Sequence, residues 1–319
     1  MKFAVIGTGA VGGYYGALLA RSGFEVHFLL HSDFEHVRDN GLLIESRDGD
    51  FVLESINAYG KPNDMPGCDV VIVALKTTQN HHLPAILPKV VKENGIVVLL
   101  QNGLGVEREI AKKLPQATVI GGLCFLCSNK VGPGHIRHLD YGSIRMGQFS
   151  REETAAGITD SLKFVADVFG KAGISVHLTE NLGRARWEKL VWNMSYNGLS
   201  VVLDANTDQL MNDPATRRLV EKLMAEVIGG ARACGFELAD AFAQQMLAAT
   251  EKMVAYNPSM KLDFEAGRDL EIHTIYWRPI QSASDNGYEM TAAVILARLL
   301  EYLDRHNPRN HRCQTKSLR

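Results

Sequence analysis

Cysteine is scarce in this sequence and odd in number. The chain of 319 residues contains five cysteines, at positions 68, 124, 127, 234 and 313. Because they are few and scattered, they cannot form the disulfide framework of a small secreted domain, and an odd number is typical of a reducing compartment. Cys124 and Cys127 form a C-x-x-C pair, but the sequence around them predicts a strand and supplies no second ligand pair. We therefore expect neither a redox centre nor a metal site.

The sequence also lacks an excess of charge of one sign. Its 34 lysines and arginines are balanced by 36 aspartates and glutamates, which gives a formal net charge of −2. No sustained basic stripe is present, and a nucleic-acid-binding domain needs such a surface to neutralise phosphates. We expect a small-molecule partner and no nucleic acid.

A long apolar run is missing at the amino terminus. The first residues, MKFAVIGTGA, contain one lysine and then a short apolar stretch that glycines interrupt after Ile6. A signal peptide or a membrane span needs a longer apolar segment. The sequence thus predicts a cytoplasmic protein with no membrane partner.

Short apolar segments separated by helical periodicity predict an α/β fold with a doubly wound, Rossmann-type parallel sheet in residues 1–180. The segments KFAVIG, EVHFLL, DVVIVAL and GIVVLL are apolar throughout, as strands buried on both faces are. Further along the chain, DYG lies between HIRHL and SIRMGQF and predicts a hairpin turn.

Helical periodicity dominates after residue 180. Segments such as ATRRLVEKLMAEVIGGARACG and MTAAVILARLLEYLDRH have little β signal. They predict an all-helical second domain over residues 181–306. The last residues, 307–319, are polar and basic without apolar periodicity, which predicts a flexible tail.

A glycine-rich segment precedes the first predicted helix. VIGTGAVGG follows a predicted strand and carries a G-x-G-x-x-G pattern. Glycines at these positions allow a tight turn and a close approach to a pyrophosphate, while the helix N-terminus supplies N–H groups and positive potential. The pattern predicts a dinucleotide site formed by Gly7, Thr8, Gly9, Ala10, Val11 and Gly12.

The end of the second predicted strand indicates which dinucleotide binds. An acidic side chain there would bond the ribose hydroxyls of NAD and repel the 2′-phosphate of NADP. Here the strand ends FLLHSD, so His31 and Ser32 stand at the critical positions and Asp33 follows one step later. Because His31 and Ser32 can both donate to phosphate, we expect NADP(H).

Polar side chains recur every four residues in an apolar, aromatic-rich segment. EKLVWNMSYNGL carries Lys189, Asn193 and Asn197, which lie within about 80° of one another on a helix. Polar groups among apolar ones need partners. The stripe is therefore either a helix-packing network or the lining of a ligand cleft, and the pattern alone leaves both open.

Five motifs in this order resemble the ketopantoate reductase family over nearly the whole chain. They are GTGAVGGYYG, VALKTTQ, LLQNGLG, RWEKLVWNMSYN and NPSMKLDFEAGRDLEI. The resemblance implies a Rossmann-type domain followed by a helical domain. It also implies NADPH-dependent reduction of 2-dehydropantoate to D-pantoate, in pantothenate and coenzyme A synthesis. A homodimer is expected on the same ground.

The resemblance also implies roles for individual residues. Lys189 matches the catalytic lysine, and Glu271 matches the acidic residue opposite it. The positions that match substrate-binding residues are Asn193, Asn197, Ser259 and Asn102. Lys76 and Asn102 match residues beside the nicotinamide. The chemistry agrees with the first of these roles. Hydride delivery to a ketone develops alkoxide charge, which needs a positioned proton donor or cation such as Lys189.

The sequence departs from the family pattern in two places. The family usually has arginine where His31 stands, and an acidic residue followed by Asn-Gly where this chain has IHTIYWRP, with bulky Tyr276 and Trp277 and with Pro279. Another small 2-oxo or 3-oxo acid therefore stays open as the substrate, as does an opine or 3-hydroxyacid dehydrogenase on a related frame. A non-catalytic NADP-binding regulator is the remaining hypothesis, but it would not need Lys189 and Glu271.

Overall fold

The computed structural model describes residues 1–152 and 154–310. The chain divides into two units. The first contains residues 1–101 and 106–183, and the second contains residues 102–105 and the chain from Arg184 onward. Within the described ranges, no helix has both the length and the apolar character that crossing a bilayer requires.

A mostly parallel sheet forms the centre of the first unit. Its strands are β1 (Lys2–Ile6), β2 (Glu25–Leu29), β3 (Leu42–Ser46), β4 (Phe51–Leu53), β5 (Asn57–Tyr59), β6 (Cys68–Val73), β7 (Val91–Leu99), β8 (Thr118–Gly132), β9 (His135–Gln148) and β10 (Val176–Leu178). Their order is β4-β3-β9-β8-β7-β6-β1-β2-β5, with β10 beside β9. The central pairs β2–β1, β1–β6, β6–β7 and β7–β8 are all parallel, which confirms the predicted fold class.

Helices cover both faces of this sheet. They are α1 (Ala10–Arg21), α2 (Phe34–Asn40), α3 (Leu83–Val90), α4 (Val106–Lys113) and α5 (Asp160–Lys171), with short 3₁₀ turns at Pro62–Asp64 and Thr77–His82. Alternate residues of β1 point to opposite faces. Phe3 and Val5 belong to an apolar cluster with α1 and α5, whereas Ala4 and Ile6 belong to a cluster with α3 and α4. This explains why the central strands are apolar throughout.

The prediction of a hairpin turn at DYG is wrong. The residues on both sides of it belong to the single strand β9, and the hairpin instead joins β8 to β9, with Gly132 paired to His135. Tyr141 and Gly142 have positive φ angles of 62° and 135° inside the strand. The register with β8 shifts at this point. The turn-forming residues therefore make a β-bulge, which bends the strand without reversing it.

The second unit is helical. Its elements are α6 (Leu182–Val202), which starts at the unit boundary, α7 (Thr207–Asn212), α8 (Pro214–Ala233), α9 (Ala241–Glu251), α10 (Ser259–Glu265), a π-helical turn (His273–Trp277), α11 (Arg278–Asp285) and α12 (Thr291–Arg305). Helix starts follow local chemistry. Asp213 Oδ1 accepts hydrogen bonds from Ala215 N at 2.7 Å and Thr216 N at 3.0 Å, which satisfies N–H groups that have no acceptor within α8.

The described part of the predicted tail is packed. Asn307 is 1% exposed, and its Nδ2 donates to the carbonyl of Phe264 at 2.8 Å. Gly267, with φ of 66°, lies so close to Arg309 that a Cβ on it would be 2.1 Å from the Arg309 carbonyl oxygen. Residues 311–319 of the predicted tail lie outside the described residues.

Candidate active site

The glycine-rich loop joins β1 to α1, and two of its glycines are required by the packing of the protein itself. Gly7 has φ of 98°, and a Cβ there would be 2.5 Å from Leu75 N. A Cβ on Gly12 would be 2.2 Å from the carbonyl oxygen of Gly7. Larger residues at either position would displace backbone.

Gly9 has a different reason to be glycine. It is the N-cap of α1 with φ of −94°, and a Cβ there would have no non-local heavy atom of the described chain within 4 Å. The first turn of α1 reads Ala-Val-Gly-Gly, so it places no carboxylate at the helix N-terminus. N–H groups of a first turn have no intrahelical acceptor. Open space over a glycine at such a helix end fits a pyrophosphate.

Alanine substitutions can separate these two roles. We expect Gly9→Ala to raise the Kd for NADPH about tenfold or more, while unfolding free energy changes by less than about 1 kcal/mol. Gly12→Ala should lower stability by about 1–3 kcal/mol because its Cβ meets backbone. Gly170→Ala, in open space on α5, is the matched control. Calorimetric titration and thermal denaturation measure both effects, and unchanged NADPH binding by Gly9→Ala would refute the assignment.

The loop after β2 carries His31 and Ser32, which are both exposed. The hydroxyl of Thr8 donates to the carbonyl of Leu29 at 3.2 Å, which ties the glycine-rich loop to the end of β2. Asp33, in contrast, is 6% exposed and turned inward. The sequence alone did not show how Asp33 affects the choice between NAD and NADP.

Three donors surround the Asp33 carboxylate. Oδ1 accepts from the Ser32 hydroxyl at 3.0 Å, and Oδ2 accepts from Gly134 N at 3.1 Å and lies 2.5 Å from Lys130 Nζ. Burial raises the pKa of this carboxyl, but the bonds from Lys130 and Gly134 outweigh it, so the pKa is below its ordinary value. Asp33 is therefore ionised and satisfied within the protein. Sequence reasoning missed Lys130, which no local motif marks.

Lys76 lies beyond the end of β6, where it precedes the 3₁₀ turn Thr77–His82 in extended conformation. The loop that carries it is held by Gln101, which is 3% exposed. Gln101 Nε2 donates to the carbonyl of Leu75 at 2.7 Å and to Asn80 Oδ1 at 2.6 Å. Gln101 was not singled out from the sequence, although it lies inside the LLQNGLG motif. Its contacts make it a positioning residue for the Lys76 loop.

The polar stripe lies on α6. Lys189 is partly exposed, Asn193 is 7% exposed and Asn197 is 1% exposed. Among the described residues, Asn197 Oδ1 is the buried side-chain atom without a hydrogen-bond partner. An unsatisfied buried acceptor costs about 1–3 kcal/mol. A pure packing network would have no reason to leave it, whereas a ligand that donates a hydrogen bond would satisfy it.

Glu271 and Asn102 lie on two segments of the second unit that contact each other. Glu271 is 5% exposed and precedes the π-helical turn, a feature that is frequent at functional sites. Leu104 N donates to the Thr274 carbonyl at 2.9 Å, and Arg278 Nη1 donates to the Leu104 carbonyl at 3.2 Å. The loop 102–105 is therefore held by the segment that follows Glu271.

The bulky residues that depart from the family pattern pack within the helical unit. Tyr276 is fully buried, and its hydroxyl donates to the Met194 carbonyl at 2.7 Å. Trp277 Nε1 donates to Glu301 Oε1 at 2.8 Å. Pro279 is the second residue of α11, which continues directly from the π-helical turn. The Tyr276 contact connects the Glu271 segment to α6 between Asn193 and Asn197.

Ser259 is the first residue of α10 and follows the N-cap Pro258, so it does not itself cap the helix. Lys261 on the same helix contacts Asp204, just after α6, and its Nζ lies 2.9 Å from Glu265 Oε1. An ion pair thus connects α10 to the segment after α6.

The C-x-x-C pair lies on β8, which confirms the predicted strand. Cys68, Cys124, Cys127 and Cys234 are not joined in disulfides. In residues 1–152 and 154–310, no group of three or more His, Cys, Asp or Glu side chains has the arrangement of a metal site.

A Rossmann-type sheet with a glycine-rich phosphate loop, followed by a helical unit, defines the class of pyridine-nucleotide-dependent oxidoreductases. Comparisons with known proteins narrow this class. The family described as "Ketopantoate reductase PanE/ApbA" matches residues 3–151, and the family described as "Ketopantoate reductase PanE/ApbA C terminal" matches residues 181–303. The chain belongs to the ketopantoate reductase family.

Individual relatives agree with this assignment. A 2-dehydropantoate 2-reductase from Nostoc sp. is 54% identical over 306 residues, which cover 96% of each chain. The crystal structure of 2-dehydropantoate 2-reductase from Geobacter metallireducens has a TM-score of 0.89 at 39% identity and covers 95% of this chain and 99% of its own. The Methylococcus capsulatus enzyme of the same name has a TM-score of 0.88 at 30% identity and covers 98% and 99%.

Proposed function

We propose that this protein reduces 2-dehydropantoate to D-pantoate with NADPH, by hydride transfer to the ketone carbon. The observation that carries the proposal is the buried stripe on α6, where Asn197 Oδ1 has no partner among the described residues. The substrate has a hydroxyl and a carboxylate near its ketone, so it offers both a donor and acceptors. The name of the Nostoc relative supports the same substrate.

The proposal gives a role to each predicted site residue of the second unit. The bound nicotinamide would supply the hydride. Lys189 donates a proton to the oxygen of the ketone as alkoxide charge develops there, and Glu271 balances the lysine charge. Asn197 Oδ1 accepts a hydrogen bond from the substrate hydroxyl. The amide donors of Asn193, with Ser259 and Asn102, hold the carboxylate.

The packing of two bulky residues supports 2-dehydropantoate over a different oxo acid as the substrate. Tyr276 and Trp277, which depart from the family pattern, have partners in the helical core at Met194 and Glu301. Their bulk is therefore accounted for by packing. This removes the main reason that the sequence offered for an altered substrate.

We further propose NADP(H) as the preferred cofactor. The loop from Gly7 to Gly12 would hold the pyrophosphate, and Lys76 and Asn102 would lie beside the nicotinamide. The support for the 2′-phosphate is the loop after β2, where the first carboxylate is Asp33. Because Asp33 is buried and bonded to Gly134 and Lys130, it is not available to bond a ribose hydroxyl of NAD.

A homodimer in the cytoplasm is also proposed. Ile295, Leu299 and Tyr302 are 64%, 46% and 57% exposed on α12. Their spacing of four and three residues places them on one helix face, which a second copy of the chain would cover. The small, odd number of cysteines supports a reducing compartment.

One set of turnover measurements tests the proposed function. We expect NADPH oxidation with 2-dehydropantoate to have a kcat/KM at least about 100-fold above that with 3-methyl-2-oxobutanoate, because that acid lacks the hydroxymethyl group and leaves a buried polar group unpaired. NADH should be at least about tenfold less effective than NADPH. A higher kcat/KM with another 2-oxo or 3-oxo acid would refute the substrate. Bound NADPH without reduction of any acid would indicate a regulator.

A further inference from the structure

Lys130 and Asp33 form an ion pair at the end of the sheet where the loop after β2 lies. Lys130 is near the end of β8, and its Nζ is 2.5 Å from Asp33 Oδ2. The Lys130 side chain is 34% exposed, whereas that of Asp33 is 8% exposed. The carboxylate is thus covered, while the lysine is accessible to a ligand.

Asp33 is fixed in place by more than the lysine. Gly134 N donates to the same Oδ2, and the Ser32 hydroxyl donates to Oδ1. Turning the carboxylate outward would break these bonds. An ammonium has three donors, so one bond to Asp33 does not exhaust the capacity of Lys130. Asp33 therefore holds a cation that can still bind an anion.

The position of this cation matches a known requirement of Rossmann-type domains. The group that recognises the adenosine ribose lies about 20 residues after the glycine-rich loop, and a 2′-phosphate needs a cation there. Ser32 is 20 residues after Gly12. Lys130 places its ammonium group beside this loop, at the Asp33 carboxylate.

We propose that Lys130 binds the 2′-phosphate of NADP(H) and that Asp33 is its positioning residue. The inference rests on the proposed use of NADP(H). It assigns cofactor specificity to a lysine on β8, where no sequence motif marks it, and it gives Asp33 the opposite of its usual role. Here a carboxylate in the loop after β2 favours NADP because it orients a lysine.

A purely structural ion pair is the competing explanation. In that case Lys130 would only connect the β8–β9 turn to the loop after β2. Its loss would reduce the binding of all adenine nucleotides alike, because less protein would be folded. The two explanations differ in whether the effect depends on the 2′-phosphate.

Calorimetric binding of 2′,5′-ADP and 5′-AMP distinguishes them without turnover. We expect Lys130→Met to lower the affinity for 2′,5′-ADP about tenfold or more, which is about 1.4 kcal/mol. The affinity for 5′-AMP should be unchanged. Lys130→Arg should retain most of the affinity for 2′,5′-ADP. Asp33→Asn should lower the affinity for 2′,5′-ADP by a smaller factor. It should also raise the KM for NADPH without changing the KM for NADH.

Lys92→Met is the matched control, because Lys92 Nζ is also paired with one aspartate, Asp69, at 2.7 Å, and lies at the start of β7. If Lys130→Met unfolds because it leaves Asp33 buried and uncompensated, the Lys130→Met/Asp33→Asn double variant serves in its place. An equal loss of affinity for the two nucleotides, or no loss for either, would overturn the inference. An unmodified protein without preference for 2′,5′-ADP would instead overturn the proposed NADP use, and this inference with it.

Discussion

Lys189→Ala is expected to lower kcat for 2-dehydropantoate by about 100-fold or more, with NADPH affinity nearly unchanged. The reason is that the lysine would interact with charge that develops only in the transition state. Steady-state kinetics and NADPH titration measure the two quantities separately.

Two asparagine variants and one lysine variant complete this experiment. Asn193→Ala and Asn197→Ala remove groups that would bind substrate in the ground state, so they should act more on KM than on kcat. Lys252→Ala, at an exposed lysine following α9, is the control for loss of charge. If α6 carried only a packing network, activity would fall in proportion to the folded fraction. A stably folded Lys189→Ala protein with near-normal turnover would exclude Lys189 from catalysis.

Gly198→Ala is expected to destabilise the protein by about 2–4 kcal/mol. A Cβ at this position would lie 2.3 Å from the Tyr276 hydroxyl oxygen and 2.7 Å from Leu296 Cδ2. Overpacking of this kind costs about 1–3 kcal/mol, and loss of the bond from Tyr276 to Met194 adds about 1 kcal/mol. Thermal denaturation should show a decrease in Tm on the order of 3–6 °C.

A double-mutant cycle identifies the cause of this destabilisation. Tyr276→Phe alone should cost about 1 kcal/mol, because a buried hydrogen bond is lost. Combined with Gly198→Ala it should cost less than the sum of the two single changes, because removal of the hydroxyl relieves the clash. Additive effects, or a Gly198→Ala protein with unchanged Tm, would contradict the proposed close fit between the π-helical turn and α6.

This fit is also relevant to function. Tyr276 follows Glu271 by five residues in sequence, and its hydroxyl bonds a carbonyl that lies between Asn193 and Asn197 on α6. A change at Gly198 or Tyr276 therefore alters the position of α6 relative to the segment carrying Glu271, although neither residue is proposed to touch the substrate.

Local patterns were sufficient to predict the fold class and the glycine-rich loop. Both depend on residues close together in sequence: apolar strands buried on two faces, and glycines between β1 and α1 where side chains at Gly7 and Gly12 would meet backbone. Family motifs supplied the roles of Lys189 and Glu271, which stay predictions. The hairpin prediction at DYG was wrong because glycine and its neighbours suit a bulge and a turn equally, and only pairing along β8 separates the two.

The sequence by itself determined the fold class and the family, because the signals for both lie in contiguous segments of the chain. Only the tertiary structure decided the direction of Asp33, whose partners Lys130 and Gly134 come from β8 and the turn after it. It also decided that Gly198 accommodates Tyr276, and that Gln101 holds the Lys76 loop. These contacts join residues far apart in sequence, and their strength depends on burial and distance, which the packing of the whole chain determines.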